Sequence, residues 1–289
     1  MIFANMHNHS TFSDGRYTPE ELATMAKREG YGAIVLTDHD TVRGTYFMQK
    51  AARKEGLLSI LGCEFSTVGM GTDFHLLGFD FNPDEPEMQK LMWHCSQKQT
   101  QRTKLLFQWA VEKGNIKGIT WEDVEKAFPF NDYFCNEHVF AVLLEKGIRK
   151  NTEFSEFNVD FSYRFREREK RILEITGLEY PDVGEVIRII RKAGGVPVVA
   201  HPHAQTQYVE QLIEMGLMGI EVNFPAATEE EKVYLNSIAD EKGLYKTGGT
   251  DHSGVLGGCL LDGEGYYCDP EINGVGENDF LKLYRRELG

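Results

Sequence analysis

Histidines and carboxylates are crowded into three short segments near the start of the chain. These segments read MHNHS at residues 6–10, SDG at 13–15 and LTDHD at 36–40. Since alternate residues of a strand point the same way, His7 and His9 can face one metal ion. Packing gives no reason to place such groups beside apolar runs, whereas a site for several metal ions does. The opening of the chain therefore predicts part of a metal centre.

Further potential ligands follow apolar, strand-like runs later in the chain. Glu64 stands between apolar neighbours, where a buried acid needs a paired charge or a role as a bridge between metal ions. His75 alone is more typical of a hydrogen-bonded core histidine, and Asp14 alone is typical of a turn, so the prediction depends on the whole set. That set comprises His7, His9, Asp14, His39, Glu64, His75, His201, Asp251 and His252.

Imidazoles and carboxylates without paired thiols are ligands for manganese, iron, zinc or magnesium in a hydrolytic site. The candidate ligands exceed the number that one ion binds, which is about four to six. We therefore predict two or three divalent metal ions, with manganese favoured and iron, zinc or magnesium as alternatives. Such ions activate water and hold phosphoryl oxygens for in-line attack. The sequence contains no G-x-S-x-G motif and no P-loop, which favours direct attack by water.

The elements that must position these residues are short apolar strands that alternate with amphipathic helices. The predicted strands cover residues 2–6, 33–37, 57–62, 74–79, 196–200, 219–223 and 244–247. Repeated strand–helix units favour a parallel sheet. Ligands at successive strand ends favour a barrel, because those ends meet on one face. We therefore predict an α/β fold, a distorted TIM-like barrel of about seven parallel strands with a helical insertion.

The domain organisation follows from the change of pattern after Phe81. Residues 83–178 are mostly helical, and we predict that they form an insertion that caps the substrate site. Residues 1–82 and 179–289 form the predicted metal-binding barrel. Loops and insertions at the top of such a barrel shape its pocket, so substrate choice is expected to depend on the insertion.

Composition excludes some classes of protein. A formal net charge of −14 argues against a non-specific nucleic-acid coat, which requires clustered cations, but bound metal ions still allow a phosphorylated substrate. The five cysteines are odd in number and lack C-x-x-C spacing, which fits reduced thiols. A basic leader and an apolar run of about 18 residues are both missing. We therefore expect a cytoplasmic protein without a membrane span, and the sequence carries no signal of its oligomeric state.

The motifs as a set resemble the PHP (polymerase and histidinol phosphatase) family of metal-dependent phosphoesterases. They occur in the family's order and span residues 6–254 as MHNHS, SDG, LTDHD, GCEFS, FHLLG, AHP and GGTDHSG. The chain is most similar to stand-alone members with a helical insertion that act on small nucleotides or short oligonucleotides. The resemblance implies hydrolysis of phosphomonoesters of such substrates, for example nucleoside 3′,5′-bisphosphates.

The resemblance also implies which residues share a metal ion. The first ion would be held by His7, His9, Glu64 and Asp251, and the second by Asp14, His39 and His252. Glu64 would bridge to a third ion completed by His75 and His201. The family's last motif usually reads Asp-x-His, whereas His252 directly follows Asp251. Because adjacent strand residues do not share a face, His252 is the ligand with the weakest support.

Substrate contacts are predicted mainly in the insertion. In the related enzymes a basic residue on the long helix contacts phosphate, which suggests Arg102 and Lys104; the alternative is an exposed helix charge. Asn136 and His138 begin a short helix, whose amino terminus suits a phosphate. His203, which follows a strand end, could also reach the phosphate.

Catalytic support is predicted from Glu64 as a bridge and from Asp38 or Asp40 as a carboxylate that orients His39. The alternative for the two aspartates is that they are solvated loop acids. Two other functions stay open: a histidinol-phosphate-type or other small-molecule phosphatase, and a non-catalytic metal-binding module. The nearly complete ligand set favours an enzyme over the binding module.

Overall fold

The computed structural model describes residues 1–162, 166–225, 227–251 and 274–288. The strands in these residues are β1 (Ala4–Asn5), β2 (Ala33–Ile34), β3 (Gly62–Gly69), β4 (Thr72–Phe79), β5 (Val196–Val199), β6 (Gly219–Asn223) and β7 (Tyr245–Gly248). The α-helices are α1 (Pro19–Arg28), α2 (Arg43–Glu55), α3 (Pro86–Glu112), α4 (Trp121–Ala127), α5 (Asn136–Glu145), α6 (Phe154–Ser162), α7 (Arg166–Thr176), α8 (Val183–Lys192), α9 (Val209–Glu214), α10 (Glu229–Lys242) and α11 (Glu277–Tyr284).

Helix α1 begins at Pro19 because its capping signal is complete. The Thr18 hydroxyl accepts a hydrogen bond from the N–H of Glu21, and the Glu21 carboxylate accepts one from the N–H of Thr18. Such a cap contributes about 1 kcal/mol to stability. Leu22 of α1 and Met48 of α2 are fully buried in one cluster with Ile34 of β2, so these two helices cover the opening strand pair.

The sheet is mixed, which corrects the prediction of parallel strands throughout. Strands β1 and β2 form a parallel pair, and the other strands form a five-stranded sheet in the order β3-β4-β5-β6-β7. The β5–β6 and β6–β7 pairs are parallel as predicted. The β3–β4 and β4–β5 pairs are antiparallel, so the prediction fails at β3 and β4.

The antiparallel pair β3–β4 is a hairpin that replaces the strand predicted over residues 57–62. In that stretch Leu58 makes only an isolated bridge to Ala33, and the regular strand starts at Gly62. The turn residues Met70 and Gly71 have φ angles of 49° and 80°, and two positive φ values give a turn whose twist matches that of the strands. Glu64 therefore lies inside a strand and not at a strand end.

Isolated hydrogen bonds connect the two sheets. The N–H of Met6 donates to the carbonyl of Gly248 at 3.0 Å, and a single parallel bridge joins His39 to Glu64. Among the described residues these contacts do not form continuous ladders, so the predicted closed barrel of about seven strands is not confirmed. The observed architecture is a mixed α/β fold in which helices flank the sheets.

The helical region between β4 and β5 has a core of its own. Its apolar cluster contains Leu106 of α3, Phe140 of α5 and Phe157 of α6. The first part of α3 instead packs on the sheet, since Met88 and Leu91 belong to the core that contains β3 and β4. Helix α3 thus joins the predicted insertion to the rest of the chain. Over the residues that the structure describes, no helix is long and apolar enough to cross a lipid bilayer.

Candidate metal centre

The carboxylate of Glu64 is fully buried and lies at the centre of a histidine cluster. Burial disfavours its charged form, but the surrounding imidazoles outweigh this effect and hold the pKa of the Glu64 carboxyl well below its ordinary value. The ring nitrogens 2.9–3.4 Å from its oxygens belong to His7, His9 and His39 on the Oε2 side and to His75 and His201 on the Oε1 side.

The first two histidines of this cluster lie just after β1. Between them, Asn8 points to the other side, where its side-chain amide donates to the carbonyl of Val35 at 2.7 Å. His7 and His9 therefore share a face, as the alternation of strand residues predicts. Both residues are fully buried, and each Nε2 is directed at Glu64.

The described residues contain three groups whose ligand atoms lie close enough to hold a metal ion. The first group matches the set that the family resemblance implies for the first ion. The second group adds His9 to two residues implied for the second ion, and the third group adds His39 to two residues implied for the third ion. His201 lies 3.2 Å from Glu64 but outside these groups, and His252 is outside the described residues. The groups are His7, His9, Glu64 and Asp251; His9, Asp14 and His39; and His39, Glu64 and His75.

The contacts around Asp14 fit the donor set of a metal ion. His9 Nδ1 lies 3.5 Å from Asp14 Oδ1, and His39 Nε2 lies 3.8 Å from Asp14 Oδ2. In the described part of the chain, the buried Nδ1 of His9 has no hydrogen-bond partner. A buried polar atom without a partner costs about 1–3 kcal/mol, which a cation between the imidazole and the carboxylate would offset. Burial lowers the pKa of His39 to about 4, which favours the neutral ring that a metal ion requires.

Glu221 is a buried residue of this centre that the sequence prediction does not include. Both of its carboxylate oxygens lie 3.1 Å from His7 Nδ1, and its Oε2 accepts a hydrogen bond from the backbone N–H of His201 at 2.7 Å. A carboxylate at Nδ1 keeps the proton on that nitrogen and leaves Nε2 to face Glu64. The sequence signal for Glu221 is an acid inside the apolar strand Gly219–Asn223, the same kind of signal that points to Glu64.

Asp38 and Asp40 stabilise loops beside the centre. Asp38 accepts hydrogen bonds from the N–H and the hydroxyl of Ser10 at 2.7 and 2.8 Å, and Asp40 accepts one from the N–H of Ser66 at 3.1 Å. Both aspartates are buried, so they are not solvated loop acids, and burial raises the pKa of Asp40 to about 7. The predicted orientation of His39 by these acids is not observed, because His39 Nδ1 has no hydrogen-bond partner among the described residues.

The backbone is strained where it delivers several of these side chains. Asp40, His201 and Asp251 have φ angles of 54°, 27° and 48°, in a region that residues other than glycine seldom adopt. A Cβ atom on Gly249 would collide with the backbone of His7, so only glycine fits there. Such strain concentrates at functional sites, where the surrounding structure imposes it.

The two basic residues predicted on the long helix lie in different surroundings. Arg102 lines a cavity of about 770 Å³ beside the β3–β4 hairpin. Lys104 pairs with Glu125 at 3.0 Å and lies 5.1 Å from the ring centre of Trp121. Residues two apart on a helix do not face each other, which explains why the structure does not bring these two together.

The other predicted substrate residues have protein partners. His138 is fully buried, and its Nε2 lies 3.4 Å from the carbonyl of Thr11, in the loop between His9 and Asp14. The side-chain amide of Asn136 donates to Asn158. His203 Nδ1 lies 3.1 Å from Glu231. In this structure these contacts stabilise helix starts and loops.

Comparison with known proteins decides the family. The PHP domain matches residues 5–223, which is most of the chain. The chain belongs to the PHP domain family. This confirms the resemblance drawn from the sequence motifs, and the matched range includes all the candidate ligands except Asp251 and His252.

Three curated relatives that cover most of this PHP-domain protein are hydrolases of phosphoric esters. A 5′-3′ exoribonuclease of Haemophilus influenzae is 29% identical over 86% of this chain and 88% of its own length. A phosphoribosyl 1,2-cyclic phosphate 1,2-diphosphodiesterase of Eggerthella lenta is 26% identical over 89% and 96%. A 3′,5′-nucleoside bisphosphate phosphatase of Chromobacterium violaceum is 25% identical over 87% of both chains. The prediction that this PHP-domain protein is a phosphoric ester hydrolase is confirmed.

A solved structure supports the fold of this PHP-domain protein. A protein from Bifidobacterium adolescentis, assigned as a metal-dependent phosphoesterase, superposes with a TM-score of 0.79 over 99% of this chain and 96% of its own. The two sequences are 24% identical, so the similarity concerns the fold alone.

Proposed function

We propose that this PHP-domain protein removes a terminal phosphate from a nucleotide or a short oligonucleotide, with two or three divalent metal ions as cofactors. The observation that carries the proposal is the buried Glu64 carboxylate, whose two oxygens face separate sets of imidazoles. A carboxylate with ligand nitrogens on both sides is suited to bridge metal ions. The proposed ligands are His7, His9, Asp14, His39, Glu64, His75, His201, Asp251 and His252.

The protein groups have separate tasks in this mechanism. When bound, divalent ions supply an activated water and neutralise the charge that develops on phosphoryl oxygens. Glu64 fixes the separation of the imidazoles on its two sides. Glu221 holds the ring of His7 through Nδ1 and fixes the backbone of His201. Asp251 lies 3.1 Å from His9 Nε2 and completes the carboxylate side of the first group.

The substrate class is supported by the relatives and by the position of Arg102. The names of the three relatives describe an exoribonuclease, a cyclic phosphate diphosphodiesterase and a nucleoside bisphosphate phosphatase. All of these substrates carry a phosphate on a ribose. Arg102 lines a cavity to which Val68 of β3, the strand that carries Glu64, also contributes. We propose that Arg102 binds substrate phosphate and that residues 83–178 act as the substrate cap.

The first test is the metal content of the purified protein. We expect about two to three equivalents of divalent metal per chain, as in multinuclear phosphoesterases. Fewer than one equivalent after incubation with Mn²⁺ would refute the multinuclear centre. Glu64→Ala should lose the metal together with the activity, while the exposed Lys126→Ala serves as the matched control.

The second test is a substrate panel assayed with Mn²⁺. The panel contains p-nitrophenyl phosphate, adenosine 3′,5′-bisphosphate, short 5′-phosphorylated RNA, a ribose cyclic phosphate and histidinol phosphate. We expect the highest kcat/KM for the bisphosphate or the RNA. Preference for histidinol phosphate would favour the small-molecule phosphatase, and no turnover of any compound would favour a non-catalytic metal-binding module.

A further inference from the structure

A cavity that contains several charged side chains lies beside the β3–β4 hairpin, between it and the helices α3 and α7. Its volume is about 770 Å³, within the range of small-molecule pockets. Its lining includes Val68 and Asp73 of the hairpin, Lys98 and Arg102 of α3, and Lys170 of α7. The cavity is therefore large enough to hold more of a substrate than the phosphate that is hydrolysed.

The hairpin sets the distance between the cavity and the centre. Ser66 pairs with His75, and Val68 pairs with Asp73, so these side chains follow Glu64 along one face of the hairpin. Successive residues on one face of an antiparallel strand are about 7 Å apart. The cavity therefore begins one such step beyond His75, a span that a ribose with phosphates on its 3′ and 5′ oxygens can bridge.

Tyr180 connects the two sites. It lines the cavity, its phenol donates a hydrogen bond to Gln99 at 2.9 Å, and the side chain of Ser66 lies close to it. Lys98 Nζ lies 3.3 Å from the centre of the Tyr180 ring, so the ammonium group rests on this connecting side chain. Since Ser66 is the cross-strand partner of His75, the wall of the cavity is continuous with the histidine cluster.

The charge of the lining is unusual for this protein. Lys98 and Arg102 are four residues apart on α3 and therefore share a face, and Lys170 adds a third cation from α7. The lining also contains two acids, Asp73 and Glu179, so cations outnumber acids here in a chain with a formal net charge of −14. The net negative charge of the whole chain repels an anion at long range. The cations of the lining therefore have to attract an anion through direct contact.

We propose that this cavity is a subsite for a second phosphate group, one nucleotide step away from the phosphate at the metal centre, and that Lys98 and Lys170 bind it. The inference rests on the proposed function, because it assigns the neighbouring part of the same substrate. The ligand is either the other phosphate of a nucleoside bisphosphate or the next phosphodiester of an RNA. Both present the same chemistry, a phosphoryl oxygen that accepts hydrogen bonds from ammonium groups.

The test compares substrates with one and two phosphates in the Lys98→Gln, Lys170→Gln double variant. We expect KM for adenosine 3′,5′-bisphosphate or for 5′-phosphorylated triribonucleotide to rise about tenfold, which corresponds to about 1.4 kcal/mol. The kcat for these substrates and both constants for p-nitrophenyl phosphate should stay unchanged. A higher KM for the bisphosphate alone, for the RNA alone or for both shows which of these substrates places its second phosphate in the cavity. Asp73→Asn should lower the KM for these substrates, because it removes a negative charge from the lining.

The matched control is Lys126→Gln, a lysine of α4 that is 72% exposed and pairs with Glu122. The subsite is refuted if the double variant raises the KM for p-nitrophenyl phosphate by the same factor, or if it leaves the KM for every substrate unchanged. Calorimetric binding of adenosine 3′,5′-bisphosphate and adenosine 5′-monophosphate separates this inference from the proposed function. If the wild-type protein hydrolyses neither nucleotide, a selective loss of bisphosphate binding in the double variant still supports the subsite, and equal binding by both proteins overturns it.

Discussion

The centre around Glu64 and the cavity beside Arg102 are built from different kinds of element. At the centre, short side chains extend from strands and adjoining loops, and Glu64, His7 and His9 are fully buried. At the cavity, long side chains extend from helices α3 and α7, and ordering such side chains costs conformational entropy. A rigid sheet can thus fix the chemistry while adaptable side chains select the substrate. Substitutions in the two regions should therefore have different effects on kcat and KM.

The largest effect is expected at the bridge. Glu64→Gln keeps the volume but removes the charge that faces the imidazoles on both sides. We expect kcat to fall by about a thousandfold or more, because the electrostatic arrangement for phosphoryl transfer is lost. Metal analysis should show a parallel loss of bound ions. Retention of both metal and activity would mean that the rigid centre does not determine the chemistry.

A smaller effect is expected at Glu221, which contacts His7 and His201 on the side away from Glu64. Glu221→Gln keeps a hydrogen-bonding group near His7 and the backbone of His201, but removes the negative charge behind the imidazole. Changes to such supporting carboxylates typically cost about 10- to 100-fold in metal affinity. Titration with Mn²⁺ should show this loss with little change in thermal unfolding of the metal-free protein. Unchanged affinity would limit the role of Glu221 to packing.

The pH dependence of metal binding tests the same region without mutation. Burial opposes protonation of His201, but the hydrogen bond to Glu64 and the charge of Asp251 outweigh it and raise the pKa of His201 to about 9. The imidazole is therefore protonated at neutral pH and must release its proton when a metal ion binds. Despite burial, nearby carboxylates also raise the pKa values of His7 and His9, so we expect affinity to rise by about tenfold or more per pH unit between about pH 7 and 9. Calorimetry in buffers with different ionisation enthalpies would detect the released proton, and constant affinity would contradict the prediction.

The smallest effects are expected on the insertion. Arg102→Gln should raise KM about tenfold for a nucleotide substrate and leave kcat unchanged, as expected for a charged contact outside the reacting atoms. Lys104→Gln is the matched comparison, since Lys104 pairs with Glu125, and its KM should be unchanged. An equal rise of KM in both variants would show that substrate binding depends on the net charge of the helix and not on the face that carries the charge.

Residue types and spacing are sufficient to predict the core of the centre. The alternation of His7 and His9 and the acid in an apolar run at Glu64 point to residues that the fold buries together, and imidazoles and carboxylates are seldom fully buried unless they are paired or bind a ligand. Glu221 carries the same signal as Glu64 within β6 but is missing from the predicted set. The same criterion, applied to every apolar strand, identifies it as well.

The sequence does not reveal the hairpin or the partners of the insertion residues. Met70 and Gly71 adopt two positive φ values, but they lack the Asn-Gly or Asp-Gly pair that identifies such turns. The antiparallel strands are therefore not predicted. His138 and His203 are occupied by Thr11 and Glu231, residues far away in the sequence, and only the folded chain shows such pairings. The different environments of Arg102 and Lys104, by contrast, follow from helical spacing alone.

The ladder between β4 and β5 has a consequence for how this protein can diversify. Phe79 pairs with Val196, so the chain leaves the sheet and returns to the adjacent position after all of helices α3 to α8. The entropy of closing a flexible loop depends only logarithmically on its length, and doubling the loop costs about 0.6 kcal/mol. The part of this segment that does not pack on the sheet can therefore lengthen, shorten or be exchanged at little cost to the sheet, whereas the first part of α3 and helix α8 belong to the core of the sheet. Descendants of one catalytic scaffold can acquire new substrates by replacing a single continuous stretch of the gene.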